Sequence, residues 1–308
     1  MAISSRVAIV GAGNVGATAA YALMLRGLFA EIVLIDRTAD RAVAEATDIA
    51  DANAIARPAR IWAGDYADAK DANILVLTAG ATTQGDETRT AIAGKSAAIV
   101  TACVKEAMAA GFAGIIIVAS NPVDAMAQVA QTVSGLPPER VIGTGTLLDS
   151  NRFRKRVADQ LAIAPGAVEA MVLGEHGDSE VVAYSTVRIG GLSLDAFLAD
   201  APFDHAAIAH DVVRAGYEIN HGKGYTSFGV ASAIARICEA VQRDERVVLP
   251  VATRLDGQFG IDGVYLSLPC LIGTAGVLRV LTPDLLPGER AALLASADTL
   301  RETLAGIA

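Results

Sequence analysis

The chain is poor in the residues that build covalent or metal-held frameworks. Its 308 residues include three cysteines, Cys103, Cys238 and Cys270. They lie far apart and form no C-x-x-C motif, which excludes a disulfide framework and fits a reducing compartment. The ordinary use of each is as a small buried hydrophobe. Only four histidines occur, His176, His205, His210 and His221, and none has metal-ligand spacing, so no metal is expected. Positive charge is also short: 25 Lys and Arg face 34 Asp and Glu, a formal net charge of −9. A general nucleic-acid binder carries a basic face, so that class is excluded. No apolar run approaches the roughly 18 residues of a membrane helix. The run Val7–Val10 is too short for the core of a signal peptide. A cytoplasmic protein with no membrane contact is expected.

What is present is core-forming material. The chain is 53% hydrophobic and 19% charged, too apolar for disorder. At about 100–200 residues per domain the length suggests two domains. The first half alternates in type. Val7–Val10, Glu31–Ile35, Arg60–Ala63, Ile74–Thr78 and Ile115–Ala119 read as short buried strands. Asn14–Arg26, stopped by Gly27, reads as a buried helix, and Thr90–Ala110 as another. Asp40–Ile55 places Val43, Ala46, Ala50 and Ala54 on one helical stripe. Such alternation implies a parallel sheet with helices on both faces.

The second half changes character. Val168–Leu173, Val181–Ile189, Val247–Ala252 and Tyr265–Leu268 read as strands. Phe203–Arg243 reads as a long helical region broken at Gly222-Lys-Gly224. A last helix opens with Pro287 and carries the stripe Leu293, Ala297, Leu300 and Leu304. The expected fold is α/β: a Rossmann-type parallel sheet over 1–143, followed by an α+β substrate domain over 144–308.

Gly11-Ala-Gly13-Asn-Val-Gly16 follows the first strand and opens the first helix. In a strand–turn–helix context this pattern has mechanical meaning. Gly11 permits the tight turn, Gly13 lets backbone approach a pyrophosphate, and Gly16 lets helix and strand pack closely. The helix N-terminus offers free N–H groups and a positive dipole end to the phosphates. Asp36, ending the second strand, can accept hydrogen bonds from adenosine ribose hydroxyls and would repel a 2′-phosphate, which favours NAD over NADP. Taken alone, Asp36 also fits a helix cap. Thr78-Ala79-Gly80 and Ser120-Asn121-Pro122 follow later strands, and ligands of such sheets bind beyond the strands' carboxyl ends. A plain strand-ending turn is the alternative for Asn-Pro.

Leu173-Gly-Glu-His176-Gly-Asp-Ser179 holds the one histidine with a distinctive setting. A constrained imidazole with a pKa near 6.5 exchanges protons at neutral pH. Asp149 and Arg152, three residues apart, share a helix face. They fit equally a local surface ion pair of little worth.

With these segments the chain resembles the L-lactate/L-malate dehydrogenase family over essentially its whole length. Gly-x-Gly-Asn-Val-Gly16, Asp36, Thr-Arg89, Ser-Asn121-Pro-Val-Asp124, Leu-Asp149-x-x-Arg152-Phe, Gly-Glu-His176-Gly-Asp-Ser and Lys-Gly-Tyr-Thr226 occur in the family's order. The histidine segment leans towards the lactate branch. The resemblance implies NAD as cofactor and a 2-oxo or 2-hydroxy acid as substrate. It implies His176 as proton donor and acceptor, with Asp149 holding it. Arg152 would clamp the substrate carboxylate, and Arg89 would polarise the carbonyl from a lid over 81–88. Asn121, Thr226 and Thr83 would complete the substrate site. Asn14, Val15, Tyr66 and Ala119 join Gly11, Gly13, Gly16, Asp36, Thr78, Ala79, Gly80 and Asn121 as implied cofactor contacts. A homo-oligomer is implied, a tetramer in preference to a dimer.

Two positions depart from the family. Lactate-selective members carry Gln and malate-selective members Arg where this chain has Thr83. An uncharged Thr cannot neutralise a second carboxylate, which argues against malate. Thr83 is shorter than Gln, and Gly216 adds room, so a bulkier 2-oxo acid is an open alternative to pyruvate. Relatives activated by fructose bisphosphate use an Arg and a His. Arg154 matches the first, but Glu169 stands at the second, so no such activation is expected. Malate dehydrogenase and a catalytically silent NAD-binding protein remain further alternatives, since fold alone does not decide activity.

Overall fold

The computed structural model describes residues 5–81 and 89–307, residues 89 and 90 by their backbone alone. The first half runs β1 (Arg6–Val10), α1 (Asn14–Arg26), β2 (Glu31–Ile35), α2 (Ala39–Asn53), β3 (Arg60–Ala63), α3 (Tyr66–Ala69), β4 (Ile74–Leu77), α4 (Arg89–Ala109), β5 (Ile115–Val118), α5 (Val123–Ser134) and β6 (Val141–Gly143). Its strands pair in parallel in the order β3-β2-β1-β4-β5-β6. The order reverses between β1 and β4, and at such a switch point the strands' carboxyl ends open a ligand crevice. Alternate residues feed two cores. Ala8, Val10, Leu75 and Leu77 pack with Val104 of α4 and Met126 of α5. Val7, Ile9, Ile74 and Val76 pack with Leu23 of α1 and Ile234 from the second half. Burial on both faces explains why these strands read as continuous apolar runs.

The second half runs α6 (Leu147–Leu161), β7 (Val168–Leu173), β8 (Val181–Ile189), β9 (Leu192–Ser193), α7 (Leu194–Leu198), α8 (His205–Lys223), α9 (Phe228–Gln242), β10 (Val247–Asp256), β11 (Asp262–Gly273), β12 (Gly276–Val280) and α10 (Pro287–Ala305). Gly224, at φ 83°, ends α8 in the left-handed region, which gives the expected helical region its break. β7, β8 and β9 form a separate three-stranded antiparallel sheet. Phe153 and Val157 of α6 and Val212 of α8 pack against it.

β10, β11 and β12 extend the first sheet antiparallel beyond β6, making nine strands. The junction is tight: a Cβ on Gly143 would lie 2.9 Å from that of Ala252. The expected stripe of α2 is displaced. Ala42, Ala46 and Ile49 are buried, whereas Val43 is 54% exposed and Ala54 is exposed. The two stripes share Ala46, and Ile49, the largest apolar side chain of the helix, lies on the buried one.

Candidate active site

The glycine loop is built by contacts that only some of its glycines require. Gly11, at φ +103°, donates its N–H to the Ile35 carbonyl at 2.8 Å, while Thr78 Oγ1 donates to the Gly11 carbonyl at 2.8 Å. A Cβ on Gly11 would stand 2.7 Å from the Ala79 nitrogen, and one on Gly16 1.8 Å from the Gly11 carbonyl oxygen. A Cβ on Gly13 would meet nothing within 4 Å. Packing therefore demands Gly11 and Gly16, whereas Gly13 keeps the backbone open to close approach. α1 starts at Gly13 with no side-chain cap and no acid in its first turn. Its N-terminal dipole is thus free for an anion, which fits a dinucleotide pyrophosphate.

Asp36 is engaged on both oxygens. Oδ2 accepts from the Ala12 N–H and Oδ1 from the Thr38 N–H, each at 2.8 Å. It ties the glycine loop to the β2–α2 turn, and a carboxylate's remaining lone pairs still suit ribose hydroxyls. The Tyr66 hydroxyl lies near the Cys103 thiol, within electrostatic range of Asp36. Burial and the nearby Cys103 push its pKa up. Ser120 Oγ donates to the Ala79 carbonyl at 2.6 Å, joining the ends of β4 and β5.

The chemical centre draws on three elements. Asp149 lies in the first turn of α6 and is 1% exposed. Its Oδ2 meets His176 Nδ1 at 2.6 Å, and its Oδ1 accepts from Arg152 Nη1 at 2.8 Å. With Asp149 buried, the reading of Asp149 and Arg152 as a surface ion pair falls away. α6 is held against β7, where the Val172 N–H donates to Ser150 Oγ at 2.9 Å. The His176 loop is pinned three times. Gly174 exchanges two backbone hydrogen bonds with Ser267 at 3.0 Å, the Glu175 N–H donates to Ser296 Oγ at 2.8 Å, and the His176 N–H donates to Asp124 Oδ2 at 2.8 Å.

Electrostatics follow from this enclosure. The Asp149 charge pushes His176 up to about 9, against the opposing effect of burial. Burial alone would raise Asp149, but His176 and Arg152 outweigh it and hold the carboxyl below its ordinary range. Burial pushes Asp124 up to about 7, although the His176 N–H works the other way.

One cavity brings together Val15 of the glycine loop, Ala119 and Asn121 beyond β5, His176, and Thr226 between α8 and α9. Leu148 and Val230, which the sequence did not single out, also line it. A Cβ on Gly216 would lie 3.9 Å from both terminal nitrogens of Arg152, so Gly216 faces the guanidinium. Thr83 lies outside the described residues. Arg89 opens α4, and its side chain also lies outside them. Asp124 and Glu180 were missed as site residues. Their signals were an acid in the first turn after Asn-Pro and an acid beside the histidine segment, neither distinctive without the fold.

Fold and site together define a dinucleotide-binding type of α/β protein in which His176 shares a cavity with the glycine-loop residue Val15, while its ring is paired with buried Asp149, which in turn holds Arg152. Family models extend the description: the lactate/malate dehydrogenase NAD-binding domain matches residues 5–143, and the lactate/malate dehydrogenase alpha/beta C-terminal domain matches 146–308. The chain is 41% identical over 302 residues to an L-lactate dehydrogenase of Priestia megaterium, covering 97% of this chain and 95% of that one. It is 37% identical over 306 residues to one from Clostridium botulinum, covering 98% and 96%. The minor L-lactate dehydrogenase of Enterococcus mundtii in its ligands-bound form superposes with a TM-score of 0.97 at 37% identity, over 99% of each chain. A lactate dehydrogenase from a Medee basin deep-sea metagenome gives 0.95, also at 37% identity and over 99% of each. The chain belongs to the lactate/malate dehydrogenase family.

Proposed function

We propose that this protein is an NAD-dependent L-2-hydroxy-acid dehydrogenase that interconverts L-lactate and pyruvate. The observation that carries the reading is the joining of His176, Asp149 and Arg152 beside the glycine-loop residue Val15, in a chain similar to L-lactate dehydrogenases along nearly its whole length. Gly11, Gly13, Asn14, Val15, Gly16, Asp36, Tyr66, Thr78, Ala79, Gly80, Ala119 and Asn121 would hold NAD, which would supply the hydride chemistry.

The chain's own residues do the rest. Charged His176 gives its proton to the oxygen of the 2-oxo acid, and neutral His176 takes one from the 2-hydroxy acid. Asp149 fixes the ring through Nδ1 and favours the charged form. Arg152 spends one N–H on Asp149 and keeps donors of its planar fork for the substrate carboxylate. Arg89 polarises the carbonyl as charge develops on oxygen. Thr83, Asn121 and Thr226 shape the rest of the pocket.

The same reading divides the chain at 143/144 into cofactor and substrate domains. It places the protein in the cytoplasm, in glycolytic carboxylic-acid metabolism, and as a homotetramer. Exposed Tyr21 and Leu25 on α1 and exposed Val43 on α2 support burial against further copies. Among the described residues no helix is long and apolar enough to cross a membrane. A second reading, preference for a bulkier 2-oxo acid, is favoured by the lack of a side chain at Gly216, where a Cβ would already touch the Arg152 guanidinium at 3.9 Å.

NADH oxidation against pyruvate, 2-oxobutyrate, 2-oxoisocaproate, phenylpyruvate and oxaloacetate tests both. Highest kcat/KM with pyruvate supports the first reading, and highest with a bulkier acid the second. A preference for oxaloacetate overturns the charge argument at Thr83. Full activity in His176→Ala overturns the acid/base assignment.

A further inference from the structure

Glu180 lies beside the His–Asp pair at the end of the β7–β8 connection, and nothing in the proposed mechanism uses it. One carboxylate oxygen of Glu180, one of Asp149 and a ring nitrogen of His176 all lie within 4.8 Å of one another. Glu180 Oε1 is buried and has no hydrogen-bond partner among the described residues. Leaving a buried carboxylate oxygen unpaired is costly unless a proton or a nearby cation compensates. Here the neighbouring ring of His176 carries exchangeable charge. Glu180 is therefore placed to respond to the charge of His176, and His176 to that of Glu180.

Resting on the dehydrogenase reading, we propose that Glu180 is a positioning residue for the acid/base step: a second carboxylate that shares the proton inventory of the His176–Asp149 pair and sets how firmly His176 holds its proton. Among the described residues, the charged groups around the ring belong to three elements. α6 contributes Asp149 and Arg152, α5 contributes Asp124, and the β7–β8 connection contributes Glu175, Asp178 and Glu180. From α8, Tyr217 donates its hydroxyl to Asp178 at 2.6 Å. Burial pushes Glu180 up to about 8, the Asp149 charge adds to the rise, and His176 and Arg152 oppose it. Glu180 and His176 therefore exchange protons over one range, and such neighbours titrate as a pair. Below that range Glu180 is neutral and His176 charged. Within it, each proton lost from one makes the other hold its own more firmly.

The test compares the full-length wild type with Glu180→Gln and Glu180→Asp. The pH dependence of kcat/KM is measured for pyruvate with saturating NADH and for L-lactate with saturating NAD. Gln keeps the shape of a protonated carboxyl but can never carry its charge. The expected result is that both midpoints move to lower pH by at least about half a unit in Glu180→Gln, and return part way in Glu180→Asp. NADH quenching of Trp62, the one tryptophan, reports the fold and the cofactor site. Superimposable profiles overturn the proposal. So does a variant that binds NADH like wild type but is inactive at every pH, because Glu180 is then more than a charge partner. NMR titration of the four labelled histidines reads the shift of His176 without any substrate. A wild type that turns over no 2-oxo acid but shows that shift overturns the functional reading and leaves this one standing.

Discussion

The Asp124 carboxylate accepts the backbone N–H of His176 at 2.8 Å, across 52 residues of sequence. Asp149, on the following helix, meets the ring of the same residue at 2.6 Å. Both acids lie in the first turn of their helices, where the positive dipole end favours a carboxylate that burial would otherwise penalise. His176 is thus held by two helix starts, one at its backbone and one at its ring.

Replacing Asp124 separates acceptor from charge. Asp124→Ala leaves the His176 N–H without its acceptor, and a loss of about 1–3 kcal/mol in stability is expected. Asp124→Asn keeps an acceptor oxygen and stays within about 1 kcal/mol. Denaturant unfolding of the two variants checks this.

On the proposed mechanism, pyruvate reduction needs charged His176. Because Asp149 raises the ring to about 9, activity is expected to persist through neutral pH and fall as pH rises through about 9. Asp149→Asn removes the first cause of the rise, so the midpoint moves down towards the ordinary histidine value near 6.5. The rate at neutral pH drops on the order of 10²-fold or more. The stability sign follows the same raised value. The stabilisation from charged His176 is complete below about 6.5 and is lost as pH climbs through about 9. A pH profile of kcat/KM and a pH series of unfolding midpoints check the two statements separately.

Two glycines of one loop should fail in different ways. Gly16→Ala forces a Cβ to within 1.8 Å of the Gly11 carbonyl oxygen, and a loss above about 2 kcal/mol is expected. Gly13→Ala meets nothing within 4 Å and should unfold like wild type while binding NADH at least about tenfold more weakly. Calorimetry and NADH titration distinguish them.

Gly216 tests pocket size. A Cβ there makes ordinary contact with Arg152 at 3.9 Å, so Gly216→Ala folds. Gly216→Val should cut kcat/KM for 2-oxoisocaproate at least about tenfold more than for pyruvate. Equal losses would place the substrate side chain elsewhere.

Fructose bisphosphate should not activate the enzyme. Arg154 donates Nε to the Ala170 carbonyl at 3.3 Å and faces the Glu169 charge. A carboxylate there repels a phosphate. A dose-dependent rise in rate at millimolar effector or below would reverse this statement.

Much of the molecule was determined locally. The parallel strands are apolar runs buried on both faces, and the glycine spacing reflects contacts within one strand–turn–helix unit. Both were legible because their causes lie within a few residues. His176 was legible because its flanking glycines and acids are unusual by themselves. Other features depend on contacts between distant segments. The seam between β6 and β10 rests on Gly143 meeting Ala252, and no periodicity announces it. The buried face of α2 was misplaced because two stripes one residue apart differ mainly in what they pack against. Asp124 and Glu180 look like ordinary acids in the chain. Only the fold, by removing water and setting His176 beside them, sets these carboxylates apart from the others.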